Sequence, residues 1–576
     1  MNPNHSPTPR APALRTLYDH LDRSEHESAE ALSQQLLEVA PNDPELLYLH
    51  GVVAHKSGRP EEAIVRFLKA IPEAPSAATR SAVLSGLGKS YWMLEQLELA
   101  QASFAEAAKL HPQEASIWID LGSVQMALGD PGAARSSFEK ALAIDPDQAD
   151  ACAGRGLCLV NLGRYVEARE ALEEVAQRYP GHAEVIQGLA TLDKIMGRVE
   201  EAEHRLFALL TKQPERMGYF ELASLKPIRS TDEPVVKLLE TRREPLGHST
   251  APEIVRIDLL FALAKAYDDL GRSEESFTLL EEGARLRRRR FHFDITQEEE
   301  RMERIAGIFG QTFIDRLKLS SGHETHRPIF IVGLPRSGST LVEHLLSAHP
   351  DITPGGELPI FPRLATELSL AWGQIPGFPD ALTPDRARVN LEHLKTRYLE
   401  EIEDATGPAP LRTHVTDKLL GNFLFLGLIR MAFPEARILH IQRHPLDQAH
   451  SAYRQLFTRG HAYSYDLMEF GRYYLAYRKL MEHWHTVLGD AIYDLSYEAL
   501  VREPEAEIRK MLDFLKLPFV AGCLETHQAS RPVHTASATQ VREPIHPDAI
   551  GHWKRYRAQL EPLRKMLEPW IPPEPH

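Results

Sequence analysis

The feature that most constrains this chain is that its first half repeats itself. Set out with a period of about 34 residues, it brings Gly51, Gly88, Gly122, Gly156 and Ala190 into one column. Seven residues on stand Gly58, Glu95, Gly129, Gly163 and Gly197, and twelve residues after the first column stand Ala63, Ala100, Ala134, Ala168 and Ala202. Phe67, Phe104, Phe138, Leu172 and Leu206 follow, and the units close at Pro75, Pro112, Pro146, Pro180 and Pro214. The pattern predicts a helical hairpin. Small residues let two helices approach closely, the aromatic or leucine fills the gap between neighbouring hairpins, and proline ends the second helix. One such unit cannot bury its apolar face alone, so the units must stack into a solenoid.

Unit 115–148, ASIWIDLGSVQMALGDPGAARSSFEKALAIDPDQ, also places Trp118 and Leu121 in register. The array over 25–215 resembles the tetratricopeptide repeat (TPR) family. A degenerate unit at 259–286 keeps Tyr267 and Gly271, and the stretch 215–255 reads as an irregular connection. The expected organisation is a flexible segment 1–24, a solenoid 25–215, a helical connector 216–324 and a further domain 325–576. The resemblance implies a groove that binds a peptide or partner protein. A scaffold for the second half, or a dimer surface, is the alternative.

Composition excludes several classes. A net charge of −15 over 576 residues argues against general nucleic-acid binding, because this surface repels a phosphate backbone. There is no apolar run of membrane-spanning length, and the N-terminus MNPNHSPTPRAPALRTLYDHLDR lacks the apolar core of a secretory signal. Cys152, Cys158 and Cys523 cannot build a disulfide framework, so the expected setting is reducing and cytoplasmic. The basic run RLRRRR at 285–290 reads as a solvated helix end, or as a docking site for an acidic partner. His483 and His485 do not share a helix face, and no histidine spacing suggests a metal site.

From about 325 the texture becomes α/β. RPIFIVGL (327–334), ARILHIQR (436–443) and AIYDLSYEAL (491–500) read as strands, with helices between them, implying a central parallel sheet. The first strand runs into GLPRSGST and then a helix. A glycine turn at a helix N-terminus converges N–H groups and the positive dipole end on one point, which suits an anion. The spacing is that of a nucleotide-hydrolysing P-loop, but Ser339 fills the lysine slot and Arg336 brings the cation from inside the loop. Mg-ATP phosphotransfer is therefore disfavoured, and simple helix capping is the bland alternative.

This loop resembles the 5′-phosphosulfate loop of the sulfotransferases, whose donor is 3′-phosphoadenosine 5′-phosphosulfate (PAPS). RILHIQRHPLDQAHSAY (437–453) resembles their 3′-phosphate segment, and YDLSYEALVREPEAEIRKMLDFL (493–515) the strand and helix beside the adenine. SATQVREPIHPDAIGHWKRY (537–556) resembles their closing segment, and the likeness spans about 325–560. Within the family, PRSGSTLVEHLLSAHPDITPGGELPIFPR (335–363) and VTDKLLGNFLFLGLIRMAFPEARILHIQR (415–443) are most similar to tyrosylprotein sulfotransferases. Against that pattern His444 stands where an Asp is common, Ala538 replaces a Ser (leaving Ser537 beside it), and the lumenal anchor and paired cysteines are missing.

The resemblance implies Glu357 as the base for an acceptor hydroxyl, with Arg336 and Lys418 stabilising the leaving oxygen. It assigns Ser337, Gly338, Ser339 and Thr340 to the 5′-phosphate and Arg443 and Ser451 to the 3′-phosphate. Tyr497 is placed beside the adenine, and Arg542 is a further 3′-phosphate partner. No metal is required. Glu357 reads alternatively as an exposed loop acid with His349 as the base, Lys418 as a surface cation, and Tyr497 as plain core. The expected function is sulfuryl transfer to a hydroxyl, with peptide tyrosine the first choice and a carbohydrate, lipid or small alcohol the others. From a different class, the chain would be a TPR interaction protein with a non-catalytic nucleotide-binding domain.

Overall fold

The computed structural model describes residues 10–23, 25–248, 252–320, 327–371, 378–380, 384–406, 412–457, 460–524 and 547–572. The repeat columns become hairpins: Pro44–Lys56 with Pro60–Ala70, Ala77–Met93 with Leu97–Leu110, Ala115–Leu128 with Pro131–Ile144, Ala149–Asn161 with Tyr165–Arg178, and Ala183–Ile195 with Val199–Lys212. Asp43 and Asp130 cap their helices by accepting amide N–H bonds, and Pro44 and Pro131 occupy the first turn where no N–H is needed. The alanine column is wholly buried.

The first column carries the packing. A Cβ added at Gly51 would lie 2.6 Å from Phe67, at Gly88 2.8 Å from Phe104, at Gly122 3.0 Å from Phe138 and at Gly156 2.6 Å from Leu172. The ring also presses on the next hairpin, since a Cβ at Gly154 would stand 2.4 Å from Phe138. The second column turns the chain: Gly58, Glu95, Gly129, Gly163 and Gly197 all have positive φ. Glycine enters that region without steric cost, whereas Glu95 adopts it at φ 57°.

The stretch after the array holds two helices, Tyr219–Ser224 and Pro234–His248, where the sequence reading expects an irregular connection. Its start is fixed at long range. Buried Asp258 accepts the amides of Gly218, Tyr219 and Phe220 at 2.7, 2.7 and 3.2 Å. The degenerate repeat folds as a hairpin of α1 (Glu253–Asp269) and α2 (Ser273–Arg289).

A five-stranded, all-parallel sheet follows, with β1 (Arg327–Gly333), β2 (Ile352–Pro354), β3 (His414–Asp417), β4 (Arg437–Gln442) and β5 (Ile492–Ser496) in the order β2-β3-β1-β4-β5. Two of these strands, β2 and β3, are only three and four residues long and leave too little pattern to read from sequence. The central strand β1 is buried from Pro328 onward, as a sheet covered on both faces requires. Three helices matter for the site: α3 (Ser339–Ser347), α4 (Pro445–Tyr453) and α5 (Leu467–Leu488).

The chain forms two compact units. One comprises Met1–Asn161, Tyr165–Gly188 and Arg290–His292; the other comprises Leu162–Arg164, Leu189–Arg289 and Phe293–His576. In the second unit α1 and α2 pack with the sheet domain. Phe277 meets Tyr453 and Tyr556 with ring centroids 5.9 Å apart in both cases, and Phe261 meets Tyr465 edge-on at 6.0 Å. The basic run takes part in this packing: Arg287 is buried, and Arg288 is bidentate to Glu469 at 2.6 and 2.7 Å. These two arginines are internal ties rather than a solvated helix end. Among the described residues no helix is long and apolar enough to cross a membrane.

Candidate functional site

A parallel sheet gathers the residues that follow its strands along one edge. Here Arg336 follows β1, Glu357 follows β2, Lys418 follows β3, Arg443 follows β4 and Tyr497 follows β5. Five separate stretches of sequence thus deliver their candidate side chains to the same side of the sheet.

The loop after β1 is tightly held. A Cβ at Gly333 would sit 2.8 Å from the Ile441 carbonyl oxygen, and one at Gly338 would sit 2.4 Å from the Tyr497 ring. Glycine is therefore obligatory at both by close approach, and Tyr497 is the floor under the loop. Gln448 on α4 donates from its side-chain amide to the Leu334 carbonyl at 3.1 Å. Ser339 and Thr340 stand in the first turn of α3, whose N–H groups have no partner within the helix. Ser337 Oγ is fully buried with no hydrogen-bond partner among the described residues. A hydroxyl left so is costly unless something accepts from it.

Cations converge beside this loop. Arg336, in the left-handed region at φ 67°, donates from Nε to Ser451 Oγ at 3.0 Å. Arg443 donates to the Arg336 carbonyl at 2.9 Å and lies over the Tyr497 ring, 4.7 Å from its centroid. Burial, then the neighbouring charges of Arg454 and Arg443, pull the Arg336 guanidinium down to about 9. An arginine resists deprotonation, so the shift marks a guanidinium kept charged where burial, and then its cationic neighbours, make charge costly. An anion with several acceptor oxygens fits such a donor set.

On the other side of β1, Lys418 is 1% exposed and donates to Glu357 Oε1 at 2.8 Å, while the Glu357 side chain is 58% exposed. Burial pulls the Lys418 ammonium down, but Glu357 and then Glu343 outweigh it and hold it above the ordinary lysine value. Lys418 is thus a buried, charged ammonium rather than a surface cation. Glu343 on α3 accepts from the Gly356 amide at 2.9 Å and from Thr416 Oγ1 at 2.8 Å, tying the Glu357 loop to β3. Beneath Lys418, burial pushes Asp417 up to about 7 against hydrogen bonds from Leu419 N–H and Tyr398 Oη. His349 is fully buried, with one ring nitrogen 3.0 Å from the Pro518 carbonyl and the other 3.1 Å from the Asp351 amide. Both nitrogens are engaged in holding the chain.

Several contacts of this site gave no sequence signal. Asp447 accepts the amides of Gly551 at 2.6 Å and Trp553 at 2.9 Å, and Arg443 donates to the Ala549 carbonyl at 2.8 Å. Together they fasten the end of the chain to α4. His444, where the related pattern has an acid, stacks on Trp553 with the rings 11° apart. Asp268 of α1 pairs with Arg454, accepts from Tyr556 Oη at 2.6 Å and lies 3.3 Å from His552. The burial penalty on Asp268 is outweighed by His552 and Arg454, which hold it well below the usual carboxylate range. Arg542 lies outside the described residues, as do Ser537 and Ala538.

Residues 328–521 match the family described as the sulfotransferase family. Residues 14–78, 86–149, 119–183 and 159–223 match tetratricopeptide repeats. An uncharacterized protein of Aquifex aeolicus is 33% identical over 351 residues, which are 60% of this chain and 45% of that protein. Protein-tyrosine sulfotransferase 1 of Homo sapiens is 27% identical over 253 residues, 40% of this chain and 64% of that protein. The chain therefore spans less than two thirds of either relative. A solved Pseudomonas aeruginosa pilF structure is similar at 22% identity and a TM-score of 0.32, covering 38% of this chain and 97% of that one.

Proposed function

We propose that this chain, which carries a sulfotransferase domain behind tetratricopeptide repeats, moves the sulfuryl group of PAPS to a hydroxyl acceptor, peptide tyrosine first among them. What carries the reading is the meeting of Arg336, Ser451 and Arg443 beside the buried Ser337 hydroxyl, with the Lys418–Glu357 pair at the adjoining strand ends. The donor has two phosphate ends, and the chain offers two sets of anion donors. Ser337, Gly338, Ser339 and Thr340 would take the 5′-phosphate. Arg443 and Ser451 would take the 3′-phosphate, with Tyr497 beside the adenine and Arg542 as a further partner.

Sulfuryl transfer is an in-line displacement with little covalent work for the protein, so positioning and charge stabilisation dominate. The acceptor oxygen bonds to sulfur as the bond from sulfur to the bridging 5′-phosphate oxygen breaks. Glu357 takes the hydroxyl proton, and 3′-phosphoadenosine 5′-phosphate leaves with charge on its bridging oxygen, met by Arg336 and Lys418. The exposed flank of Glu357 leaves the carboxylate open to an acceptor, whose docking would exclude water from it. The helical repeats would hold the protein partner. The free, buried Cys152, Cys158 and Cys523 suit a cytoplasmic setting.

Thermal shift with 3′-phosphoadenosine 5′-phosphate against 5′-AMP tests the donor. Strong stabilisation by the first alone supports the reading, and equal response to both removes it. Transfer of labelled sulfate to a panel of peptides, sugars and phenols then identifies the acceptor class.

A further inference from the structure

Away from the strand-end cluster, a second group of side chains meets on the face of the sheet covered by α5. His440 of β4 and Asp494 of the edge strand β5 are direct cross-strand partners, so both side chains leave the sheet on the same face. His440 Nδ1 lies 2.6 Å from Asp494 Oδ1, and His485 Nε2, from α5, lies 3.1 Å from the same oxygen. All three ligand atoms fall within 4.8 Å of one another. The Gln442 side-chain amide lies 3.4 Å from His440 Nδ1, at the edge of the group.

We propose that His440, His485 and Asp494 form a divalent-cation site, selective for zinc over magnesium, that pins β4, β5 and α5 together. Two imidazoles and a carboxylate are a donor set that suits zinc, with water as the fourth ligand. The His440 ring is oriented from behind, because its Nε2 meets the hydroxyl of buried Tyr477. A partner on the far nitrogen is the arrangement that metal-binding histidines use. An entry path exists, since the side chains of His485 and Asp494 are 35% and 45% exposed. Tetrahedral zinc separates its ligand atoms by about 3.4 Å, so Asp494 must draw back from His440 by less than an ångström. Its place on an edge strand allows this. The site stands three residues before Arg443 and three before Tyr497 on their strands, so a bound cation would stiffen both approaches to the strand-end cluster.

The test uses the full chain, stripped with chelator and desalted, titrated with zinc by calorimetry and with cobalt(II) by visible absorption. Saturable binding with tetrahedral cobalt bands is expected, with zinc raising the unfolding midpoint and magnesium leaving it unchanged. His485→Ala and Asp494→Asn, which each remove a ligand, should weaken zinc binding by more than the roughly 10–100-fold that loss of a ligand's outer hydrogen-bond partner costs. His182→Ala, at the separate Asp150–His182–Glu184 group, should leave it intact. Zinc binding unaltered by His485→Ala and Asp494→Asn, binding lost only in His182→Ala, or no binding by the stripped chain would each overturn the proposal.

Discussion

Glu357 and Lys418 face opposite environments across one hydrogen bond. The ammonium is buried and held charged, whereas the carboxylate looks outward, so only the carboxylate can meet an incoming hydroxyl. Replacing Glu357 by Gln keeps the shape and the acceptor for Lys418 but removes the proposed base. Turnover should fall by about 10²–10⁴, while binding of 3′-phosphoadenosine 5′-phosphate, read by calorimetry, changes less than about threefold. A comparable loss in both would make Glu357 structural. Asp417 sets a pH dependence of folding. Its folded value of about 7 lies above that of an unfolded aspartate, so the native state keeps a proton that the unfolded chain has lost. Stability contributed here is therefore full below about pH 4 and is lost as pH rises through about 7, by up to roughly 4 kcal/mol. Asp417→Asn, a mimic of the protonated acid, should flatten the decline in unfolding midpoint between about pH 5 and 7. An unchanged slope would mean that the carboxylate is ionised in the fold.

At the scale of elements, the helical repeats work because a glycine on one helix meets an aromatic ring on another. The periodic pattern in the sequence already states this, and the distances give its severity: a Cβ at Gly154 would overlap the Phe138 ring at 2.4 Å, while one at Gly122 would touch the same ring at 3.0 Å. Gly154→Ala should destabilise the array by about 1–3 kcal/mol, the usual range for overpacking, and more than Gly122→Ala. Adding Phe138→Leu should recover part of the loss in urea denaturation if the clash is the cause. The strands carry a different lesson. The apolar runs of β1 and β4 announce buried strands, but β2 and β3, at three and four residues, exist because they hydrogen-bond in series to β1. Glu357 and Lys418 owe their places to these two short strands, so the register of that half of the site came from a resemblance and not from periodicity.

For the whole molecule, the second compact unit joins α1 and α2 to the sheet domain through Asp268, Phe261, Phe277 and Arg288. A chain starting at residue 325 would leave Arg454 without its carboxylate and expose Tyr453, Tyr465 and Tyr556. Loss of this ion pair costs little at a side chain already 33% exposed, but bared aromatic surface costs stability and invites association. A truncation beginning at residue 189 should therefore melt cooperatively, and one beginning at residue 325 should aggregate or be digested rapidly by protease. Equal behaviour of the two would sink the claim that the last helical hairpin belongs to this unit. By itself, the sequence determined the repeat period and the glycine-rich turn carrying Arg336 between an apolar strand and a helix, because each rests on neighbours in the chain and on local backbone geometry, whereas Arg443 and Tyr497 were singled out by a resemblance. Only the tertiary structure decided that Asp268 holds Arg454, that Asp447 holds Gly551 and Trp553, and that His440 meets His485 and Asp494. Those partners lie on separate elements, and which of them meet is set by how the strands are ordered and the helices laid over them, which no short-range pattern records.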